Sequence, residues 1–169
     1  MTSQGRSPEL HRPVALDRIG PHGFDIVIDA KPDELPAIAE RLRIVGLASL
    51  RGAFVLRRIG TTTIEAEGNL KAELTETCVV TLDPFDHAVH EAFTIHFVPA
   101  GTEDDDPDPE AIDQIPSAGS TVDLGEALVE QLALVLDPYP RRPGAVLPDE
   151  LAADPSGPFA ALLARSRPD

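Results

Sequence analysis

The sequence has little of several features that mark common protein classes. It holds one cysteine, no tryptophan, and an aromatic fraction of only 4%. A single thiol cannot form an internal disulfide, which fits a reducing compartment. No apolar run is long enough to span a membrane, and the N-terminus lacks the apolar segment of a secretory signal. We therefore predict a cytoplasmic protein, not bound to a membrane, with an aliphatic core.

Basic residues are also scarce, because 14 Lys and Arg stand against 29 Asp and Glu and give a net charge of −15. A surface with this balance does not attract phosphate everywhere, so a nucleic acid would need a local basic patch. An acidic surface would equally suit a basic protein partner.

Motifs for catalysis, cofactors and metals are missing from the sequence. It has no Walker loop, no GxGxxG, no GxSxG and no EF-hand loop. His90 and His96 share a face of a predicted strand, but six residues of strand separate them by roughly 20 Å, too far to bind one metal ion. The sequence therefore predicts no enzyme activity, no cofactor and no metal site.

Cys78, in the stretch CVVTLDP, allows two interpretations. A catalytic cysteine needs a nearby base, and the closest histidines in sequence, His87 and His90, lie across a predicted turn. The thiol also has the same parity as Leu70 and Leu74 on the preceding strand, so a regular strand would point it into the core. The strand geometry favours packing over catalysis.

A meander of β-strands is predicted from the middle of the chain. Apolar and polar residues alternate strictly over 63–74, which places one face in the core and the other in solvent. Strand-like runs also cover 14–19, 24–29, 47–59 and 89–97. Short turns join 47–59, 63–74 and 89–97, and consecutive strands joined by short turns pair antiparallel. A helical segment separates 24–29 from this meander.

Two helices are predicted around this meander. The first covers 33–45, with Asp33 as its cap, Gly46 at its end, and an apolar stripe of Leu35, Ile38, Leu42 and Val45. The second covers 123–136 and begins with a capping box, DLGE. Because apolar stripes must be buried, we predict that both helices pack on the antiparallel sheet in an α+β fold.

The composition also predicts the domain boundaries. Residues 1–12 are polar and form a flexible N-terminus, and 13–140 form a single α+β domain. Within it, 100–120 is a mobile acidic loop, since its acids and prolines leave little to bury. Residues 141–169 form a Pro-rich tail with a short helix at 158–164, PFAALLA.

Basic residues are the remaining candidates for a binding site. The first group belongs to one predicted hairpin and could form one patch: Arg51, Arg57, Arg58 and Lys71. The second group is Tyr139 with Arg141 and Arg142, in the sequence DPYPRRPG. An aromatic ring beside two guanidinium groups could hold a phosphate or an RNA base, although a solvated loop has the same composition.

The order of these motifs resembles that of one known family. The meander, the segment CVVTLDPF before a strand ending in HFVPA, the acidic loop, the helix VDLGEALVEQLALVLDPYP and the tail PFAALLA follow one another. From about Arg12 onward this resembles the YceD family, the large ribosomal RNA subunit accumulation proteins. HRPVALDRI and CVVTLDP look like its alphaproteobacterial branch.

The resemblance implies a non-enzymatic factor in ribosome biogenesis, supporting the accumulation or processing of large-subunit ribosomal RNA. Two mechanisms stay open here: a basic patch contacts the RNA, or the acidic surface holds a basic ribosomal protein or assembly factor. The alternative function is an acidic protein-binding adaptor or chaperone-like module without a ribosomal role. Many family members carry C-x-x-C at the turn, but here Thr81 replaces the second cysteine, so no metal role is carried over.

Overall fold

The computed structural model describes residues 8–20, 22–102, 112–117 and 119–146. Its strands are β1 (Pro13–Ala15), β2 (Phe24–Asp29), β3 (Gly46–Ile59), β4 (Thr63–Thr77), β5 (Pro84–Pro99), β6 (Asp113–Ser117) and β7 (Thr121–Asp123). Its helices are α1 (Leu35–Leu42) and α2 (Leu124–Val135), and a short 3-10 helix covers Leu16–Arg18. The predicted tail helix at 158–164 lies outside the described residues.

The main sheet has the strand order β2-β3-β4-β5-β6. Strands β2 to β5 pair antiparallel in sequence order, whereas β6 pairs parallel with β5. The small strands β1 and β7 form a separate antiparallel ribbon. The predicted α+β fold with an antiparallel meander and two helices is therefore confirmed.

Strand β4 shows why one face of the sheet becomes the core. Its alternating residues Ile64, Leu70 and Leu74 are each at most 2% exposed, as period-two patterning requires. Helix α2 covers this face, and a Cβ on Gly52 of β3 would lie 2.8 Å from the side chain of Leu128. The glycine therefore allows the helix to pack closely on the sheet. The opposite face of the sheet carries the polar residues of the alternation.

Helix α1 is shorter than predicted at both ends. Its N-cap is Glu34 and not Asp33, and the cap makes no side-chain hydrogen bond to the helix. The Glu34 carboxylate instead accepts the backbone N–H of Lys31 and the guanidinium of Arg12. It ends at Leu42, since Arg43 adopts a left-handed conformation with φ of 57°. Gly46 belongs to β3, and Val45 lies outside the helix with 60% of its surface exposed.

The prediction that residues 1–12 are flexible needs correction for the last residues of this segment. Leu10 is completely buried. Arg12 donates its backbone N–H to the carboxylate of Asp123, and its guanidinium donates two hydrogen bonds to the carboxylate of Glu34. Burial of one leucine is favourable by about 2 kcal/mol, and together with these hydrogen bonds it offsets part of the entropy lost when the segment is ordered. The strand predicted over 14–19 also ends early, at Ala15.

The acidic loop predicted over 100–120 is also too long. Residues 113–117 form β6, which aligns with Ile95 to Pro99 of β5 and packs Ile115 against the core. Strand β6 lies at the edge of the sheet, where a strand needs few apolar side chains to pair with its neighbour. The composition of the segment therefore did not indicate a strand. Residues 103–111 and 118 lie outside the described residues.

Helix α2 begins and ends close to its predicted bounds. Asp123 accepts hydrogen bonds from the backbone N–H groups of Gly125 and Glu126, as the capping pattern predicted. None of the helices in the described ranges has the length and hydropathy of a membrane-spanning segment.

Candidate functional site

The predicted basic hairpin residues do not form one patch. Arg51 and Lys71 are directly opposite each other on the open face of the sheet. Arg57 lies six residues further along β3, about 20 Å away at the usual rise. Arg58 has the opposite parity and donates to the carbonyl of Leu16. The structure brings together only the first two.

Carboxylates also neutralise much of the charge on this open face. Arg51 lies 3.0 Å from Asp29, and Arg57 lies 2.8 Å from Glu67. Lys71 has no ion pair among the described residues, but Glu73 follows it two positions along the same face. A phosphate would have to displace these carboxylates or approach close to them, so the open face is a poor site for an anion.

The other predicted residues lie at the end of the sheet where β4 passes into β5. There the chain makes a tight turn. The N–H of Cys78 donates to the backbone carbonyl of Asp83, and the N–H of Leu82 donates to the backbone carbonyl of Cys78. The segment after α2 packs on this turn, since the N–H of Val79 donates to the carbonyl of Pro140 over 2.9 Å. Tyr139, Arg141 and Arg142 are therefore held beside the turn. We call this turn, residues 78–83, the Cys78 turn.

Arg43 joins the same end of the molecule. A cleft of about 460 Å³ is lined by Arg43 and Val45 on one side and by Pro138 and Pro140 on the other. The C-terminal end of a helix carries partial negative charge, which favours a basic residue such as Arg43 at this position. For that reason Arg43 was not among the binding residues predicted from the sequence. We define the arginine surface as the exposed group around this cleft and turn: Arg43, Val79, Leu82, Tyr139, Arg141 and Arg142.

The arginine surface differs from the open face of the sheet in its ion pairing. Arg43, Arg141 and Arg142 make no ion pair with any residue that the structure describes. Two carboxylates, Glu76 and Asp137, line the same cleft as Arg43, so this end of the molecule also carries negative charge. Glu76 is buried and lies 2.6 Å from Nε2 of His87, and Asp137 accepts the backbone N–H of Tyr139.

Arginines elsewhere in the fold are used differently. Arg12 binds Glu34, and this hydrogen bond lowers the pKa of Glu34. Arg41 binds Glu126 over 2.6 Å as well as Glu9, and the bond to Glu126 raises the pKa of Arg41. These arginines join the helices and the N-terminal segment, which is a structural role that the arginine surface does not share.

Backbone strain is concentrated at the arginine surface. Among the described residues only two that are not glycine have positive φ, Arg43 at 57° and Leu82 at 61°. Glycine or asparagine is the usual choice there, because a larger side chain in the left-handed region costs about 1 kcal/mol. Leu82 is also 76% exposed. Strained, exposed positions of this kind occur most often at functional sites.

Cys78 is the first residue of the turn, and its side chain is not exposed at the surface. The residue is completely buried, which confirms the interpretation that it packs. Burial raises the pKa of its thiol, but N–H groups of Arg142, Thr81 and Val80 directed at the sulfur lower the pKa to about 7. The Arg142 N–H lies 3.4 Å from Sγ, so the thiol ties the C-terminal segment to the turn. In the described ranges no three His, Cys, Asp or Glu residues converge on a metal position.

A comparison with protein-family models matches residues 66–158 to the family described as large ribosomal RNA subunit accumulation protein YceD. The match covers more than half of the 169 residues. The chain belongs to the YceD family. No match was found among curated proteins or among solved structures. The part of the chain that matches YceD contains the Cys78 turn and the Tyr139–Arg142 segment, whereas Arg51, Arg57 and Arg58 precede it.

Proposed function

We propose that this YceD protein supports the accumulation of large-subunit ribosomal RNA in a bacterial cytoplasm by binding through the arginine surface, and that it is not an enzyme. The observation that carries the proposal is the position of this surface. Most of it lies within the residues that match the family, and its three guanidinium groups have no carboxylate partner among the described residues. The family name supplies the link to large-subunit RNA.

A binding role fits the construction of the surface. The segment that carries Tyr139 and the two arginines after it is joined to the Cys78 turn by the bonds from Val79 N–H to Pro140 and from Arg142 N–H to Cys78, and a preorganised backbone loses less entropy when a partner binds. The partner is large-subunit RNA or a basic ribosomal protein or assembly factor. The acidic remainder of the molecule would repel RNA from other faces, and it would attract a basic protein.

The first experiment tests the ribosomal role itself. Deletion of the gene should lower the ratio of large to small ribosomal subunits on a sucrose gradient and deplete large-subunit RNA. Expression of the intact chain should restore both. A normal ratio in the deletion strain, together with normal RNA levels, would show that the ribosomal role is wrong.

A second experiment identifies the class of partner. The protein is recovered from cells at several salt concentrations, with and without nuclease, and the captured RNA and proteins are identified. Capture of large-subunit RNA that falls with salt indicates phosphate contacts. Capture of a basic ribosomal protein that survives nuclease indicates the protein route.

A further inference from the structure

We propose that the arginine surface binds single-stranded RNA, with a base stacked on Tyr139 and phosphates held by Arg43, Arg141 and Arg142. This inference rests on the proposed function and specifies its partner. It also excludes the open face of the sheet as the RNA site. Four observations support it: the exposure of the tyrosine, the arginines without an ion pair among the described residues, the hydrogen-bonded backbone and the strained residues.

Tyr139 is placed as a stacking platform. Its surface is 69% exposed, and prolines on both sides restrict the backbone that carries it. The other aromatic residues in the described ranges are buried or half-buried, so none offers a comparable free ring: Phe24, Phe54, Phe85, Phe93 and Phe97. Base stacking on an exposed aromatic ring is sequence-tolerant and suits an unpaired strand.

Arg43 lines a cleft with the two prolines that flank Tyr139, and Arg141 and Arg142 follow the tyrosine in the chain, so three arginines lie near it on an otherwise acidic protein. A basic protein partner would be repelled by them, whereas a phosphate backbone would be attracted. An unpaired strand also fits better than a duplex, because a duplex cannot present a base face to Tyr139. The chemistry of this end therefore favours RNA over a basic protein.

The strain at Arg43 provides an independent argument. A glycine would fit the left-handed conformation at the end of α1 without cost, yet the chain has an arginine there. The side chain has no ion pair that would repay this strain among the described residues. The helix end already favours a basic residue here, and contact with a phosphate would give the strained arginine a second role.

The size of the site limits the expected binding. Three phosphate contacts on a single strand give a slope of about −2 for the logarithm of the association constant against the logarithm of salt concentration. Removal of the stacking ring weakens binding by about 5- to 150-fold. The binding should be weak and tolerant of sequence.

The test uses the full chain and a fluorescein-labelled RNA of about 12 nucleotides without secondary structure. Anisotropy titrations at 50 to 200 mM KCl give the affinity and the salt slope. Because Tyr139 is the only tyrosine and tryptophan is absent, intrinsic fluorescence of the intact protein reports on this ring alone. Stacking predicts that the unlabelled RNA quenches this emission after correction for absorbance.

Two variants test the contributions of stacking and of charge, and a third variant is the control. Tyr139→Ala should lose the stated 5- to 150-fold, and Arg141→Ala with Arg142→Ala should reduce the slope from about −2 to about −0.7. Arg51→Ala with Arg57→Ala removes the same number of charges from the open sheet face and should bind like the intact chain. Circular dichroism confirms that each variant is folded.

Arg43→Gly provides a further check, because it should weaken RNA binding while raising the thermal midpoint. Equal loss of affinity in the open-face control, or RNA binding without any quenching, would overturn the inference. An absence of RNA binding while the deletion strain lacks large subunits would also overturn it, but would leave the proposed function standing. A deletion strain with a normal ratio of large to small subunits and normal RNA levels would instead contradict the proposed function.

Discussion

The contact between the N-terminal segment and helix α2 gives a sharp test of the fold. A Cβ on Gly125 would lie 2.3 Å from the carbonyl oxygen of Leu10 and 3.0 Å from the backbone nitrogen of Arg12. Both atoms are backbone, so no side-chain rotation can make room. In Gly125→Ala, the segment around Leu10 would have to move away by about 1 Å to reach an ordinary contact distance.

The expected cost follows from what this movement disturbs. Overpacking a close contact costs about 1–3 kcal/mol. The shift would also weaken the hydrogen bonds from Leu124 N–H to Arg12 and from Arg12 N–H to Asp123, each worth about 1 kcal/mol. Alanine is better than glycine inside a helix by about 1 kcal/mol, which offsets part of the loss. We expect a net loss of about 2–3 kcal/mol in the free energy of unfolding.

Urea unfolding followed by far-UV circular dichroism measures this loss. With a slope near 2 kcal/mol/M, the midpoint should fall by about 1–1.5 M. Gly20→Ala is the matched control, because a Cβ at Gly20 meets no atom within 4 Å, and its midpoint should stay nearly unchanged. A Gly125→Ala protein as stable as the parent, or more stable, would refute the packing of Leu10 against this helix.

Three further predictions concern other parts of the fold. A Cβ on Gly68 would lie 2.3 Å from the ring of Phe93, so Gly68→Ala should cost about 1–3 kcal/mol in urea unfolding, and much less when Phe93→Leu is also present. The hydrogen bond from Arg12 lowers the pKa of Glu34 below 4.5 in the folded state. Its stabilisation is therefore complete above pH 4.5 and lost as pH falls through the folded pKa. Glu34→Gln should flatten the stability profile below pH 4.5, and an unchanged profile would contradict the pair. Cys78→Ser should lower stability by at most about 1 kcal/mol, and iodoacetamide should modify the parent thiol slowly until the protein unfolds, since rapid labelling would contradict its burial.

The sequence predicted the sheet well where period-two patterning is long. The alternation from Thr63 to Leu74 located β4, and short turns implied the antiparallel order of β3 to β5. It did not predict β6, because that pairing depends on a long return of the chain to the edge of β5 and has no local pattern. Nor did it predict the burial of Leu10, whose backbone lies close to Gly125 of α2, more than 100 residues away.

The candidate site was predicted in part. Tyr139, Arg141 and Arg142 were identified from an aromatic residue beside two bases, which is a local signal. Arg43 was assigned to a helix end, and only the fold brings it to the same cleft as Pro140. Conversely, the neutralisation of Arg51 and Arg57 by Asp29 and Glu67 depends on cross-strand register, so their spacing in sequence gave no warning of it.

Complementation of the deletion strain tests the central claim most directly. The strain receives the intact chain, a Tyr139→Ala, Arg141→Ala and Arg142→Ala variant, or the Arg51→Ala and Arg57→Ala control, each at the same protein level. The ratio of large to small subunits is then measured. We predict that the intact chain and the control restore the ratio and that the arginine-surface variant does not. Full restoration by the arginine-surface variant would contradict the account.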